Sequence, residues 1–429
     1  MKQLFPEFLL GAATAAHQVE GNNIHSDFWA MEQMKYSSFN EPSLDAVDHY
    51  NRYREDIDLL AEAGLNAYRF SIEWARIEPK QGVYDLKEVE HYKDVITYCK
   101  SKGVEPIVTM HHFSSPKWLI EEGGWENEKT IEAFAKYCTC VIQEIGDMLT
   151  YICTINEANM GLELAAIMRS YMKQVQQDAK NANSDIQVGV KLEMPDDMQE
   201  KMADMSQVFG GIDPTKVHTF LSMRTEAGDR LIMRAHETAR NAMKRLYPHL
   251  KIGVTLSLHD LQVQPGGEVN AAKEWEEEFR HYLPYIKNDD FFGLQNYTRK
   301  LVGPEGALPV PEGMEKTQMG YEFYPQALAN LIRRVNKELD IPIIITENGV
   351  AVDDDKRRET FIKEALTGVM DCIAEGIPVC GYMYWSLLDN FEWQMGYKKT
   401  FGLIEVDRKT QKRVPKNSLK FLGDFKLNR

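Results

Sequence analysis

Basic residues and cysteines are scarce in this chain. Its 429 residues include 50 lysines and arginines against 65 aspartates and glutamates, which gives a formal net charge of −15 at pH 7. Binding to a phosphate backbone needs clustered basic side chains, so this balance argues against a nucleic-acid partner. The six cysteines show no zinc-site spacing. We therefore expect reduced, mostly buried thiols, a cytoplasmic location, and neither a metal nor another cofactor.

Long apolar runs, repeats and flexible linkers are also lacking. No run is long enough to cross a membrane, so no membrane partner is predicted. The short apolar segment 8–13 follows Pro6 and Glu7, and we interpret it as a first buried strand rather than as part of a signal peptide. No low-complexity tract or Pro/Gly-rich linker divides the chain, so residues 1–429 are expected to form a single domain.

Short apolar strands alternate with helical segments over nearly the whole length. The predicted strands are residues 9–12, 67–71, 106–110, 151–155, 252–256, 291–294, 341–346 and 379–385. Nearly continuous apolar strands separated by helices are typical of a parallel sheet covered on both faces. Eight such units predict an α/β fold, a single (β/α)8 TIM barrel, with an open doubly wound sheet as the alternative.

Residues 170–223 differ in composition from the rest. This stretch is rich in Gln, Asp, Asn, Lys and Met, has few aromatic residues, and lies between the fourth and fifth predicted strands. We interpret it as an insertion-like segment, an enlarged polar helical excursion after strand four. The alternative is a lid or wall of the active site, because loops that follow barrel strands surround that site.

Polar residues gather where the predicted strands end, which is where a parallel barrel places its active site. They include Arg69, His111, His112, Asn156, Glu157, Gln295, Asn296, Tyr297, Glu347, Asn348 and Trp385. Glu157 and Glu347 follow different strands and can face each other across the barrel mouth. Glycoside hydrolysis needs such a carboxyl pair. A separation of about 5–5.5 Å allows direct attack and retention, whereas a wider gap admits water and gives inversion.

Five sequence motifs occur in order along the chain. They are Ala16–Gly21 (AHQVEG), Tyr68–Trp74 (YRFSIEW), Thr154–Glu157 (TINE), Ile345–Gly349 (ITENG) and Trp385–Trp393 (WSLLDNFEW), followed by Gly396-Tyr397 and Phe401–Leu403. Each is weak alone, but together, at this spacing, they are very specific. The chain resembles glycoside hydrolase family 1, the β-glucosidase-like family, from about Phe8 to Phe425.

The resemblance implies an O-glycosyl hydrolase that removes a terminal β-linked sugar from a small-molecule glycoside by retaining double displacement. Glu157 then matches the general acid/base and Glu347 the nucleophile, while Arg69 and Tyr297 match residues that hold the nucleophile ionised and oriented. The expected sugar-binding residues are Gln18, His112, Asn156, Gln295, Trp385, Glu392, Trp393 and Phe401. Four of these residues also have a plainer interpretation: Arg69 and Tyr297 as partners of each other, and His112 and Trp385 as packing residues.

Several positions depart from the common form of the family. The usual Tyr-His-Trp reads His111-His112-Phe113, Ala158 replaces the proline after the acid/base, Gln295-Asn296 replaces Asn-Tyr, and Thr400 replaces an arginine. These positions lie where the aglycone and the identity of the sugar are read, so a preference for glucose does not follow from the resemblance.

Three alternatives to simple hydrolysis remain at this point. The first is a transglycosylating enzyme of the same mechanism. The second is a 6-phospho-β-glycosidase, although the carboxylate of Glu392 would repel a phosphate dianion. The third is a sugar-binding barrel without catalysis, against which the intact pair of Glu157 and Glu347 argues. The sequence does not predict an oligomeric state.

Overall fold

The computed structural model describes residues 8–177 and 198–425. The strands are β1 (Leu9–Ala13), β2 (Ala67–Ser71), β3 (Glu105–His111), β4 (Tyr151–Ile155), β5 (Lys251–Gly253), β6 (Thr255–Ser257), β7 (Asp260–Val263), β8 (Phe292–Gln295), β9 (Arg299–Gly303), β10 (Gly306–Ala307), β11 (Ile343–Asn348), β12 (Val379–Trp385), β13 (Ile404–Val406) and β14 (Arg413–Pro415). The α-helices are α1 (Ala16–Val19), α2 (Asp27–Glu32), α3 (His49–Glu62), α4 (Trp74–Ile77), α5 (Leu86–Ser101), α6 (Lys117–Glu121), α7 (Lys129–Ile145), α8 (Met160–Gln177), α9 (Met198–Val208), α10 (Glu226–Leu246), α11 (Glu268–Glu278), α12 (Leu283–Ile286), α13 (Ala327–Asn336), α14 (Asp355–Ala374) and α15 (Asn417–Gly423).

The central sheet closes on itself into a barrel of parallel strands. Its strands are hydrogen-bonded in the order β5–β4–β3–β2–β1–β12–β11–β8–β6. Since β5 and β6 are one segment interrupted only at Val254, both ends of this order belong to the same barrel strand. The Val254 N–H donates to the Asp289 carboxylate at 3.1 Å, at the point where the segment changes partner. This closure confirms the predicted (β/α)8 barrel and excludes the open doubly wound sheet.

Side chains alternate along the barrel strands between an inner and an outer core. On β2, Ala67 belongs to the inner apolar cluster and Tyr68 to the outer one. On β11, Ile344 faces inward and Ile343 packs outward. Because successive strand residues point to opposite faces, Arg69 lies on the inner side with Ala67. A charged side chain therefore enters the barrel interior.

The helices between the strands cover the outside of the barrel, and α10 illustrates why they form. Thr225 caps its N-terminus, accepting a hydrogen bond from Gly228 N at 3.0 Å. Leu231, Ala235 and Ala239 recur at four-residue spacing and are buried, as an amphipathic helix requires. The helix ends directly before the residue that precedes Pro248, a position at which the helical conformation is disfavoured.

The predicted strands agree with the observed ones to within two residues at each end. β11 begins one residue after Pro342, which has no N–H to donate to a neighbouring strand. The small sheet β10–β9–β7 and the hairpin β13–β14 were not predicted. Of the polar excursion, residues 178–197 lie outside the described residues, whereas α9 confirms helical structure in its second half. Within the described ranges, no helix combines the length and apolarity needed to cross a membrane.

A buried ion pair fastens the C-terminal hairpin to the barrel. Arg413 on β14 donates to both oxygens of Asp56 on α3, at 2.7 and 3.0 Å, and both side chains are fully buried. Asp56 also contacts His49 Nδ1 at 2.7 Å. Burial alone would raise the pKa of Asp56, but the hydrogen bonds from His49 and Arg413 outweigh it and lower that pKa. From His49 the contacts continue through Tyr68 to Thr14, at 3.0 and 2.6 Å.

Replacing Arg413 should therefore weaken the whole fold. We expect Arg413→Met to cost about 3–5 kcal/mol of unfolding free energy, because it leaves the Asp56 charge buried without its cation. The measurement is the urea midpoint followed by circular dichroism. Arg408→Met is the matched control: its ion pair with Asp45 is partly exposed and should cost only about 0–1 kcal/mol. Equal midpoints for the two variants would contradict a stabilising role of the ion pair between Arg413 and Asp56.

Candidate active site

The predicted nucleophile lies in a buried ion pair at the carboxyl end of the barrel. Arg69 on β2 donates from Nη1 to Glu347 Oε1 on β11 at 2.6 Å, and the two side chains are 0% and 3% exposed. The same Nη1 also donates to the Thr346 carbonyl at 3.3 Å. A carboxylate removed from water is costly unless it is paired and hydrogen-bonded, and Arg69 meets both conditions.

Tyr297 contacts the other oxygen of the same carboxylate. Its hydroxyl donates to Glu347 Oε2 at 2.5 Å, so both carboxylate oxygens are in contact with donors. Arg69 and Tyr297 thus both contact Glu347, and their roles toward a nucleophile stay a prediction. Two donors fix the plane of the carboxylate within the barrel mouth.

Asn156 connects this pair to the other side chains at the barrel mouth. Its Oδ1 accepts from Arg69 Nη2 at 2.6 Å and from Gln295 Nε2 at 2.7 Å. Its Nδ2 donates to His112 Nε2 at 3.1 Å. Burial, Arg69 and His111 lower the pKa of His112 well below its ordinary value, so the ring is neutral. Since Nε2 accepts, the proton of His112 resides on Nδ1.

Glu157 lies two residues after the end of β4, in a left-handed backbone conformation with φ of 45°. Its N–H donates to Thr255 Oγ1 at 2.9 Å, and the next N–H, of Ala158, donates to the Thr255 carbonyl at 3.0 Å. Thr255 thus holds the turn that carries the predicted acid/base. Sequence reasoning assigned no role to Thr255; a hydroxyl within an otherwise apolar strand was the only signal available.

Burial and charge separate the proton affinities of the two carboxyls. At Glu347 burial raises the pKa above its ordinary value, and the Arg69 charge and the hydrogen bonds from Tyr297 and Arg69 offset only part of that rise. At Glu157 burial also comes first, and the Glu347 charge adds to it, so its pKa is raised well above the ordinary value. Glu157 therefore keeps its proton at pH values at which Glu347 is ionised.

A second group of polar residues comes from α1 and the segment after β12. Gln18 Nε2 donates to the Phe391 carbonyl at 2.8 Å and to Asn390 Oδ1 at 3.2 Å, and it lies 3.5 Å from Glu392 Oε2. Gln18 and Glu392 are both buried. The structure thus brings together these two predicted sugar-binding residues, 374 positions apart in the chain.

Aromatic rings line the site beside these polar groups. His112 stacks between Trp385 and Trp393, with ring centroids 5.6 and 6.2 Å away. Phe401 meets the ring of Tyr297 edge-on at 6.2 Å. Trp385, Trp393 and Phe401 are at most 4% exposed. The peptide bond between Trp385 and Ser386 is cis.

Several buried polar atoms of this cluster make no hydrogen bond within the described ranges 8–177 and 198–425. They are Gln18 Oε1, His112 Nδ1, Glu157 Oε2 and Gln295 Oε1. Buried polar atoms normally have partners, so a concentration of unpaired ones indicates a ligand site. Donors and acceptors mixed among aromatic rings suit a neutral polyhydroxylated ligand.

The described part of the polar excursion reaches a neighbouring cavity. This cavity, of about 170 Å³, is bordered by Trp393 and by Met205 of α9. Asp204 of α9 accepts from Tyr36 N at 3.0 Å and so ties α9 to the loop after α2. The interpretation of the excursion as an active-site wall stays a prediction.

His111 is directed away from these groups, as its neighbours indicate. Its Nε2 lies 3.0 Å from Ser115 Oγ, and its ring packs against Trp125 and Phe220. Within the described residues, the three possible metal ligands that lie together are Glu163, His259 and Glu278. Sequence reasoning missed them because they come from separate elements. All six cysteines are free thiols, and all but Cys140 are buried, as predicted.

Sequence comparison places the chain among known hydrolases. The sequence profile of glycosyl hydrolase family 1 matches residues 1–189 and 286–429. The 1,4-beta-D-glucan glucohydrolase of Thermotoga neapolitana is 30% identical, with 96% of this chain and 99% of that protein covered. The beta-glucosidase of an Agrobacterium species is 29% identical over 97% of this chain and 94% of that protein.

Solved structures of β-glycosidases are similar to this chain as well. The crystal structure of beta-glycosidase BGL167 is 44% identical with a TM-score of 0.87, and the match covers 98% of this chain and 96% of that one. The beta-glucosidase from Thermotoga maritima in complex with glucoimidazole is 26% identical with a TM-score of 0.78, and the match covers 98% of each chain. The chain belongs to glycosyl hydrolase family 1 and is a β-glycosidase, an O-glycosyl hydrolase.

Proposed function

We propose that this β-glycosidase removes a single terminal sugar with retention of configuration, with Glu347 as nucleophile and Glu157 as general acid/base. The observation that carries the proposal is the unequal environment of the two carboxyls. Glu347 has a cation and a hydroxyl on its two oxygens. Glu157 Oε2 is buried and makes no hydrogen bond within the described part of the chain. The surroundings of Glu347 thus favour its ionised form, and those of Glu157 favour its protonated form.

In the first step, the ionised Glu347 attacks the anomeric carbon while Glu157 gives its proton to the departing oxygen. The C–O bond to the aglycone breaks and an ester bond to Glu347 forms. Glycosylation removes the negative charge of Glu347, which lowers the proton affinity of Glu157. In the second step, Glu157 can therefore accept a proton from the water that cleaves the ester.

The sugar would be held by the residues that line the mouth. Gln18 and Glu392 supply paired donors and acceptors for neighbouring hydroxyls, and His112 Nδ1 supplies a donor. Trp385 offers an apolar face for the C–H side of the ring. The carboxylate of Glu392 disfavours a 6-phosphate. We propose neutral β-glucosides, β-galactosides or β-fucosides as substrates, and relatives named beta-glucosidase support the first of these.

Replacing the proposed nucleophile tests the reaction class. Glu347→Gln keeps the shape but cannot form the glycosyl ester, so turnover of nitrophenyl β-glycosides should fall by about 10⁴-fold or more. Glu405→Gln, an exposed glutamate on β13, is the control and should keep full activity. Turnover by Glu347→Gln close to that of the wild type would refute the assignment.

Replacing the proposed acid/base should give a different pattern. Glu157→Ala should lose about 10²–10⁴-fold on glycosides with poor leaving groups and far less on dinitrophenyl glycosides, which need no proton. Added azide should restore turnover and give a β-azide, identified by proton NMR. An α-azide, or an α-configured first product from the wild-type enzyme, would rule out retention.

The hydroxyl of Tyr297 should set the acid limb of the pH–activity profile. Its hydrogen bond lowers the pKa of Glu347, so Tyr297→Phe raises that pKa. The acid limb of kcat/KM, which reports ionisation of Glu347, should then move to higher pH. Tyr53→Phe is the matched control: this buried tyrosine also donates to a carboxylate, that of Asp94 at 2.6 Å, but between helices α3 and α5 on the outside of the barrel. If the acid limb stays in place in Tyr297→Phe, the hydroxyl of Tyr297 does not influence the pKa of Glu347.

A further inference from the structure

The hydroxyl of Thr255 lies between the ends of two barrel strands, β4 and β8. At Val254 the fifth barrel strand changes partner, so that β5 pairs with β4 and β6 pairs with β8. Thr255 is the first residue of β6 and is fully buried. Because of this change of partner, its side chain contacts both the turn after β4 and Gln295 at the end of β8.

This hydroxyl uses its whole hydrogen-bonding capacity. Thr255 Oγ1 accepts from the backbone N–H of Glu157 at 2.9 Å and from Gln295 Nε2 at 3.2 Å. It donates its own proton to Asn156 Oδ1 at 3.3 Å. A hydroxyl has one hydrogen to donate and two lone pairs with which to accept, so these three contacts saturate it. Serine can make the same three contacts, whereas valine, which has the shape of threonine, can make none of them.

The backbone conformation that Thr255 contacts is unfavourable in itself. Glu157 has a φ of 45°, in the left-handed region that residues with a side chain seldom adopt. Such a conformation persists where surrounding contacts hold it. The N–H of Glu157 adjoins the Cα from which the proposed catalytic side chain departs, and its partner is Thr255 Oγ1. Removing the hydroxyl takes that partner from a buried donor, which favours a local shift or the entry of water.

The remainder of the turn is held by other contacts. The Ala158 carbonyl accepts from Arg224 Nη1 at 2.8 Å, and the Ala158 N–H donates to the main-chain carbonyl of Thr255 at 3.0 Å. The side chain of Asn159 donates to the Ser257 carbonyl at 2.6 Å and accepts from the Ser257 N–H at 3.1 Å. None of these contacts uses the Thr255 side chain. We therefore expect the turn to survive loss of the hydroxyl, while the direction of the Glu157 side chain changes.

The same hydroxyl is connected to the proposed nucleophile. Asn156 Oδ1, to which Thr255 donates, also accepts from Arg69 Nη2 at 2.6 Å. Arg69 in turn donates to Glu347 Oε1 at 2.6 Å. Thr255 thus joins the backbone of Glu157 to the side chains that hold Glu347. Protonation of a leaving oxygen needs the acid within hydrogen-bond reach of that oxygen while the nucleophile attacks the adjacent carbon.

We infer that Thr255 is a positioning residue that sets the place of the Glu157 carboxyl relative to Glu347, and with it the efficiency of proton transfer to the leaving group. The inference rests on the proposed role of Glu157 as acid/base. Thr255 acts through the main chain of Glu157 and through Asn156. A displacement of about 1 Å can slow an enzymatic step about 10²-fold, so the loss of one hydroxyl is large enough to measure.

The test is the dependence of kcat/KM on the leaving group, measured with aryl glycosides of one β-linked sugar. In Thr255→Val, kcat/KM for the phenyl glycoside, whose leaving group needs a proton, should fall by about 10- to 100-fold. For the dinitrophenyl glycoside, which needs no proton, it should fall by less than about threefold. Thr255→Ser keeps the three contacts and should return the wild-type dependence. If Thr255→Val does not fold, Thr255→Ala removes the same hydroxyl with a smaller side chain and carries the same expectation.

A matched control and a second variant separate the outcomes. Thr130 on α7 is a buried threonine whose hydroxyl donates to the Gly124 carbonyl at 2.6 Å, so Thr130→Val should lower the urea midpoint without changing the leaving-group dependence. An equal loss on every leaving group in folded Thr255→Val, or no loss at all, would overturn the inference. Failure of the proposed function would be visible separately, because Glu157→Ala would then lose the same factor on every leaving group.

Discussion

The carboxyl group of Glu347, buried at the mouth of a parallel barrel and paired with Arg69, is the constraint around which the site is arranged. Removed from water, it requires a cation and further donors. Arg69 provides the charge, but a buried guanidinium in turn needs acceptors, which explains the contacts to Asn156 and to the Thr346 carbonyl. Asn156 in turn accepts a hydrogen bond from Gln295 and donates one to His112. One buried charge thus accounts for most of the polar residues at the barrel mouth.

Such a polar interior stabilises the fold less than an apolar one, so rigidity must come from elsewhere. The outer cluster between strands and helices supplies the apolar burial. The ion pair of Asp56 and Arg413 fastens the last hairpin to α3, and contacts through His49 and Tyr68 extend this tie to β2. Tyr68 is the immediate neighbour of Arg69. The outer face of β2 therefore fixes the strand whose inner face carries the cation of the site.

The sequence predicted the barrel well because its strands are apolar throughout and separated by helices, a pattern that depends only on neighbouring residues. It also predicted the grouping of Arg69, Tyr297 and Glu347, through motifs at strand ends. It did not reveal Thr255, whose role depends on the change of partner between β5 and β6. Nor did it reveal the buried contacts of His259 with Glu163 and Glu278, because these residues come from separate elements without any shared spacing. Contacts of this kind become visible only after the chain has folded.

Two of the residues that depart from the common family form make hydrogen bonds to nearby groups. Thr400 bonds to Gln318 and to the Val352 carbonyl, and Gln295 reaches Asn156. None of these changes removes the difference in charge between the two carboxyls. In the proposed reaction that difference is the central requirement, since one group must be ionised while the other is protonated at the same pH. The Arg69 cation and the Tyr297 hydroxyl at Glu347, together with burial and the neighbouring Glu347 charge at Glu157, favour that difference from both sides. The asymmetry of the site therefore depends on Arg69 and Tyr297, which contact Glu347, as well as on the residues that would touch the sugar.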